Sequence, residues 1–333
     1  MSWRVLITAR AMVEVGQSAL DLMTAHGCLL TFPKTYVARG GKELEELLEN
    51  HDAVLATSDR YTAEVFQSPK AASLKIVSRW GVGYDAIDIE AATRSGVVIA
   101  YTPGLLDETV ADLTFAMMLG IARRIHEAHA DMKRGIWSPL WGGNVHGKTL
   151  GLVGCGRIGQ AVARRALGFG MKLIAFDVAP QPQARALGIE FLTLDELLQR
   201  SDFVSLHAAV TPENKGMIGA EQLGKMKRTA YFINAARGAL VNETALAETL
   251  RSGLIAGAAV DTYQTEPLPA DSPLASAPNL LLTPHQASFT RETGLEVSTV
   301  AAQAILDLMR GKRPRFVVNH AVFEHPSLRA PLS

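Results

Sequence analysis

Short runs of consecutive apolar residues alternate with stretches in which apolar residues recur every three or four positions. Residues 4–8 (RVLIT), 53–56 (AVLA), 75–78 (KIVS) and 97–100 (VVIA) read as buried strands, with helices over 42–49 and 89–95 between them. Strand–helix alternation of this kind predicts a parallel sheet covered by helices on both faces. Thr102-Pro103-Gly104 breaks the pattern, and one long helix is predicted from 108 to 133. A loop rich in Trp, Gly and Pro then runs to Gly147. A second alternation follows, with strands over 149–153, 172–176, 203–206, 230–233, 256–260 and 280–282. Six strands with intervening helices suit a complete dinucleotide-binding sheet. A further long helix is predicted over 291–310, and the tail from His320 is expected to gain order only by docking. The fold class is therefore α/β, with two doubly wound parallel sheets and no internal repeat.

The second alternation opens on Gly154-Cys155-Gly156-Arg157-Ile158-Gly159, a G-x-G-x-x-G between a strand and a helix. A second strand ends at Asp177, 18 residues past Gly159, the spacing of a dinucleotide fingerprint. Gly154 would permit a tight turn, Gly156 a close approach of backbone to pyrophosphate, and Gly159 close helix–strand packing. The helix N-terminus, with Arg157 and Ile158 in its first turn, offers N–H groups and a positive dipole end to phosphates. Asp177 would accept hydrogen bonds from ribose hydroxyls and repel a 2′-phosphate, which favours NAD over NADP. Cys155 reads as a small turn residue, and His207, at the end of the third strand, as part of the cofactor wall.

Composition narrows the partners. Lys+Arg and Asp+Glu are both 33, a zero formal charge that argues against nucleic-acid binding by bulk basicity. The strongest apolar stretch, 113–122, is interrupted and too short for a membrane span. The N-terminus lacks signal-peptide features, so a cytoplasmic location is expected. Two cysteines make no disulfide framework, and the histidines show no metal-ligand spacing, so no metal is expected.

The segments 201–219, 226–246 (with NAARG) and 257–267 (with TEP), then Thr283-Pro284-His285, join the glycine loop in a fixed order. With RWGVGYDAID at 79–88 and GKRPRFVVN at 311–319, they resemble the NAD-dependent D-2-hydroxyacid dehydrogenase family over nearly the whole chain. The resemblance implies a flavodoxin-like substrate domain (1–101 plus 286–333) into which a Rossmann NAD-binding domain (102–285) is inserted. It implies a catalytic trio of Arg237, Glu266 and His285. Arg237 would bind the carboxylate of a 2-oxo acid and polarise its ketone. His285 would act as general acid or base, and Glu266 would stabilise its imidazolium. The resemblance also implies that Asp261 holds the nicotinamide carboxamide, and that the long helix and following loop form a homodimer interface.

The substrate is less constrained. Val82 and Gly83 lie in a turn resembling the family's backbone site for a carboxylate. Arg79 matches an arginine that contacts phosphate in phosphoglycerate dehydrogenases, or is a surface residue. Trp141 matches a segment that reaches the neighbouring subunit's site in glyoxylate and hydroxypyruvate reductases, or packs in a dimer core. Val82 stands where the phosphite dehydrogenase branch carries a lysine. Ala86, Tyr101, Asp112, Ala209 and Gln286-Ala287 depart from the usual family residues. The partner expected is thus a small 2-hydroxy or 2-oxo acid. A non-enzymatic NAD-responsive co-regulator on the same scaffold is the alternative.

Overall fold

The computed structural model describes residues 2–330 and Leu332. The chain divides into two compact units, one of residues up to Leu106 with those from Ser288 onward, the other Asp107–Ala287. The divisions fall at 106/107 and 287/288 rather than at 101/102 and 285/286.

The first unit holds a five-stranded, all-parallel sheet of β1 (Arg4–Ile7), β2 (Leu29–Thr31), β3 (Ala53–Ala56), β4 (Ile76–Arg79) and β5 (Val98–Ala100). Its order is β2-β1-β3-β4-β5, the flavodoxin-like arrangement. β3 is buried along its whole length, which explains why its four residues are all apolar. β2, absent from the predicted strands, is an edge strand with no buried residue. One face packs Leu44, Leu48, Val65, Phe66 and Ile99 into a core. The helix Arg291–Met309 belongs to this unit and buries Val297, Ala301, Ile305 and Leu308. Trp80 Nε1 donates to Ser298 Oγ (3.0 Å), and Ser78 Oγ donates to Ala301 O (2.8 Å), which joins this helix to β4. Asn319 accepts the Ile99 N–H and donates to Val97 O, and the tail beyond it lies on the same unit, with Ser327 Oγ donating to Arg94 O (2.8 Å) and the Arg329 N–H to Gly96 O (3.1 Å).

The second unit holds seven parallel strands: β6 (Thr149–Val153), β7 (Lys172–Phe176), β8 (Glu190–Phe191), β9 (Phe203–Leu206), β10 (Tyr231–Asn234), β11 (Gly257–Val260) and β12 (Leu280–Leu282). The order β12-β11-β10-β9-β6-β7-β8 reverses between β6 and β9, the switch point at which a doubly wound sheet opens a crevice. β8 is a two-residue edge strand that the hydrophobic pattern does not reveal. Both faces are covered. One core gathers Phe115, Met118, Ile121, Leu150, Val162 and Phe203, and the other Val204, Phe232, Leu246 and Val260.

The single helix expected over 108–133 is two helices, Asp107–Ala122 and Ile125–Lys133. Arg124 between them has a left-handed φ of 52°. Its guanidinium forms a two-pronged pair with Glu127 (2.9 and 2.6 Å), which anchors the second helix at its first turn. No helix among the described residues is long and apolar enough to cross a membrane.

Candidate active site

The glycine loop sits at the C-terminal end of β6, beside the switch point. Gly154 has φ 91°, and a Cβ there would lie 2.5 Å from Ala208 N. At Gly159 a Cβ would lie 2.5 Å from Gly154 O, so this glycine lets the helix start against the loop. At Gly156 the space where a Cβ would project is open. These are three different reasons for glycine, and the last leaves room for a ligand against bare backbone. Gly156 also serves as N-cap of helix Arg157–Gly168 with no side-chain cap, so the first-turn N–H groups remain for an anion. Ile158 packs against the core, and the Arg157 side chain, more than half exposed, pairs with Asp107 (3.3 Å).

Asp177, at the end of β7, does more than its spacing suggested. Its Oδ2 accepts the Cys155 N–H (2.7 Å) and its Oδ1 the Ala179 N–H (2.8 Å), so the carboxylate ties the glycine loop to the neighbouring strand end. Gln160 Nε2 donates to Cys155 O (3.0 Å) from the helix side. Burial, with the nearby Asp177 charge, pushes the Cys155 thiol up to about 11, so it is a protonated turn residue. His207 follows β9 on the other side of the switch point. Its Nε2 meets Ser205 Oγ (2.9 Å), while its buried Nδ1 has no partner. Burial drives its pKa down to about 3, so the ring is neutral. A neutral ring with an unmatched polar atom, a bare glycine and an uncapped helix N-terminus suits a polar, anionic dinucleotide.

Arg237, Glu266 and His285 come together at the far half of the same sheet edge. Arg237 follows β10 in a loop shaped by Asn234, which accepts the Ala236 N–H and donates to Arg237 O (both 3.0 Å). Gly238 is required next to it. A Cβ there would lie 1.9 Å from Tyr263 C, so only glycine lets this loop touch the one carrying Glu266. Glu266 Oε1 accepts the Tyr263 N–H (3.0 Å), and Oε2 meets His285 Nδ1 at 2.8 Å. Burial raises the Glu266 pKa, but the His285 hydrogen bond and charge, the Tyr263 N–H and Arg237 outweigh it. The carboxyl therefore lies below its ordinary range and is ionised. An ionised carboxylate only accepts, so Nδ1 of His285 carries the proton facing it, and Nε2 is left for chemistry. Such a pair can hold and return a proton beside a guanidinium, the equipment for polarising and protonating a carbonyl.

Asp261, Thr283 and Tyr263 complete this corner. Asp261 is fully buried and accepts from Thr283 Oγ1 (2.6 Å), Gln286 N (2.9 Å) and Ala287 N (3.0 Å). Thr283, Tyr263, Asn234 and Gly238 were not among the expected site residues. All four lie in segments that carry the family resemblance, Asn234 and Gly238 in NAARG, Tyr263 in 257–267 and Thr283 in Thr-Pro-His, but nothing in the sequence marked their individual roles.

In the first unit, the turn after β4 holds Val82 and Gly83. The Gly81 N–H is taken by Thr102 Oγ1 (3.0 Å), so the donors this turn can offer an anion are those of Val82 and Gly83. Arg79 folds back over the turn: Nε donates to Gly83 O and Nη1 to Trp80 O, both at 2.8 Å. Trp141 stands in the second unit on an exposed segment, 95% accessible, with Trp137 at 83%. Among the described residues no cluster of His, Cys, Asp and Glu could hold a metal ion.

Residues 115–287 match the family model for the NAD-binding domain of D-isomer-specific 2-hydroxyacid dehydrogenases. The chain is 43% identical over 289 residues to a glyoxylate reductase of Korarchaeum cryptofilum, covering 84% of this chain and 86% of that protein. It is 42% identical over 287 residues to a D-3-phosphoglycerate dehydrogenase of Methanocaldococcus jannaschii, covering 84% of this chain but 54% of the longer relative. Among solved structures, the TT0316 protein of Thermus thermophilus superposes with a TM-score of 0.85 at 39% identity, over 95% of this chain and 99% of that one. The chain therefore belongs to the NAD-dependent D-isomer-specific 2-hydroxyacid dehydrogenase family, on an α/β Rossmann-type fold.

Proposed function

We propose that this dehydrogenase reduces a small 2-oxo acid, of the glyoxylate or hydroxypyruvate kind, to the D-2-hydroxy acid, with Arg237, Glu266 and His285 as its working residues. The observation that carries the reading is the 2.8 Å Glu266–His285 pair beside Arg237, on the sheet edge that also bears the glycine loop. Gly154, Gly156, Arg157, Ile158 and Gly159 would hold the pyrophosphate, Asp177 the adenine ribose, and His207 and Asp261 the wall toward the nicotinamide. The cofactor supplies or takes up a hydride when bound. On the protein side, Arg237 binds the substrate carboxylate and draws charge toward the ketone oxygen. His285 Nε2 gives that oxygen a proton during reduction and takes it back during oxidation. Glu266, ionised, accepts the Nδ1–H and stabilises the imidazolium, whose Nε2 proton is the one transferred, leaving the neutral Nδ1–H tautomer that takes the proton back during oxidation.

In this reading the first unit is the substrate domain, with the Val82 and Gly83 N–H groups as the carboxylate site. Arg79 braces the turn that presents them. Two of its donors lie on carbonyls of its own turn, which favours an unphosphorylated substrate over one whose phosphate it would grip. The Asp177 carboxylate favours NAD over NADP by repelling a 2′-phosphate. Ile125, Met132, Ile136, Trp137 and Trp141 are all exposed along one segment, an apolar stretch that a second copy of the chain would cover in a homodimer.

The test is a panel of glyoxylate, hydroxypyruvate, 3-phosphohydroxypyruvate and pyruvate with NADH and NADPH, followed by absorbance. The expected result is NADH-preferring reduction with glyoxylate or hydroxypyruvate best. Arg79→Gln should raise KM alike for phosphorylated and unphosphorylated acids. A selective loss with 3-phosphohydroxypyruvate would return Arg79 to phosphate binding.

A further inference from the structure

The backbone at His285 has a left-handed φ of 48°. For a residue with a Cβ this conformation is disfavoured, and it persists only where the surroundings over-determine it. In this turn no glycine relieves the strain, so something else must hold it.

We propose that Asp261 is a positioning residue for His285: its carboxylate is the clamp that keeps the 283–287 turn in the left-handed conformation that sets the imidazole against Glu266. The inference rests on the reading of His285 as the proton-transfer group. It adds a role for Asp261 other than contact with the cofactor.

Three observations carry it. First, all three donors to the Asp261 carboxylate come from the turn itself, one before His285 and two after it. The interactions that satisfy a fully buried carboxylate are thus the same ones that fix the backbone on both sides of the imidazole. Second, the clamp is rooted in the sheet: Asp261 N–H donates to Asn234 O (2.9 Å) and Thr283 N–H to Val260 O (3.0 Å). Third, Tyr263 braces the turn from the other side, its hydroxyl donating to Thr283 O (2.7 Å), while its N–H holds Glu266. Burial and the Asp261 charge push that phenol up to about 12, so it remains a donor. The two ends of the Glu266–His285 hydrogen bond are therefore fixed by one group of neighbours, with Asp261 on the histidine side.

An asparagine at 261 preserves size but places an amide N–H₂ where the carboxylate accepted a backbone N–H. Thr283→Val removes one donor and leaves the carboxylate in place. The experiment compares wild type, Asp261→Asn and Thr283→Val in the full chain by three readouts. These are the downfield proton NMR signal of the His285 Nδ1–H (assigned by its loss in His285→Gln), the NADH dissociation constant, and kcat with glyoxylate. The clamp predicts that Asp261→Asn loses or shifts the signal and drops kcat at saturating NADH by about 10- to 100-fold, whatever change in NADH affinity accompanies it. Thr283→Val should move the same readouts by a smaller factor. The proposal is overturned if the signal and kcat persist in either variant, or if the main effect is a tenfold or greater loss of NADH affinity with the signal unchanged. If Asp261→Asn does not fold, Thr283→Val decides by the same criteria. A wild type inactive with every 2-oxo acid would defeat the catalytic reading, while the NMR signal and NADH affinity would still decide the clamp.

Discussion

Two turns at the same edge of the seven-stranded sheet solve one problem in opposite ways. The glycine loop at 154–159 needs backbone where a Cβ cannot go, and it uses residues without one. The turn at 283–287 places a left-handed residue at its centre and keeps a histidine there. The first turn is written in composition, and each glycine answers a local clash or leaves local space. The second is held by tertiary hydrogen bonds from Asp261 and Tyr263, about twenty residues earlier in the chain. A site that only has to admit a ligand can be built from glycine. A site that has to present an imidazole must offset the strain of its backbone elsewhere.

Substitutions can break this comparison. The largest effect is expected at Gly154→Ala, whose methyl would lie 2.5 Å from Ala208 N in a backbone that already favours glycine. Loss of soluble protein, or NADH binding weakened by roughly 100-fold or more, should follow in titration by fluorescence. Gly156→Ala sharpens the point, because its methyl enters open space. This variant should fold with a Tm close to wild type and still bind NADH more weakly, by about tenfold. Equal thermal loss in both variants would mean that Gly156 is structural.

The histidine turn makes the reverse prediction for stability. His285→Gly should be inactive yet more stable than His285→Ala, by about 1 kcal/mol in chemical denaturation, because glycine removes the left-handed strain. If alanine is as stable as glycine at 285, the turn is not strained.

The last effect is confined to acid pH. His207 has a folded pKa of about 3 against an ordinary 6.5, so it is uncharged in the fold. The folded state binds fewer protons, so this contribution is complete above about pH 6.5 and is lost as pH falls toward 3. His207→Gln should flatten the fall in denaturation free energy over that window. Glu266, held below its ordinary value, contributes in the same direction at lower pH: complete above about 4.5 and lost as pH falls through its folded value. An unchanged slope in the His207 variant would show that the ring is not buried neutral.

Much of the architecture was legible because buried parallel strands are nearly all apolar, as β3 and β9 show. Two strands were not. β2 and β8 are edges of three and two residues that mix apolar with polar side chains and bury none of them, whereas the edge strand β12 was legible because its three residues are all leucine. The break at Arg124 was equally silent, since a left-handed arginine held by Glu127 carries no glycine or proline to announce it. Within the site, the glycine loop could be read from spacing and chemistry, but Arg237, Glu266 and His285 only through family resemblance. Each is an ordinary polar residue until the fold sets it beside the others. The bonds from Asp261 to Gln286 and Ala287 were not legible at all, because both donors are backbone and almost any residue there could supply them.

The most direct measurement of the central claim is NADH oxidation with glyoxylate or hydroxypyruvate by wild type and His285→Asn, with NADH affinity measured on both. The account predicts turnover in wild type, a loss of about 100-fold or more in the variant, and NADH affinity that differs by no more than about threefold. Undiminished turnover in His285→Asn, or no turnover by wild type with any 2-oxo acid, would contradict it.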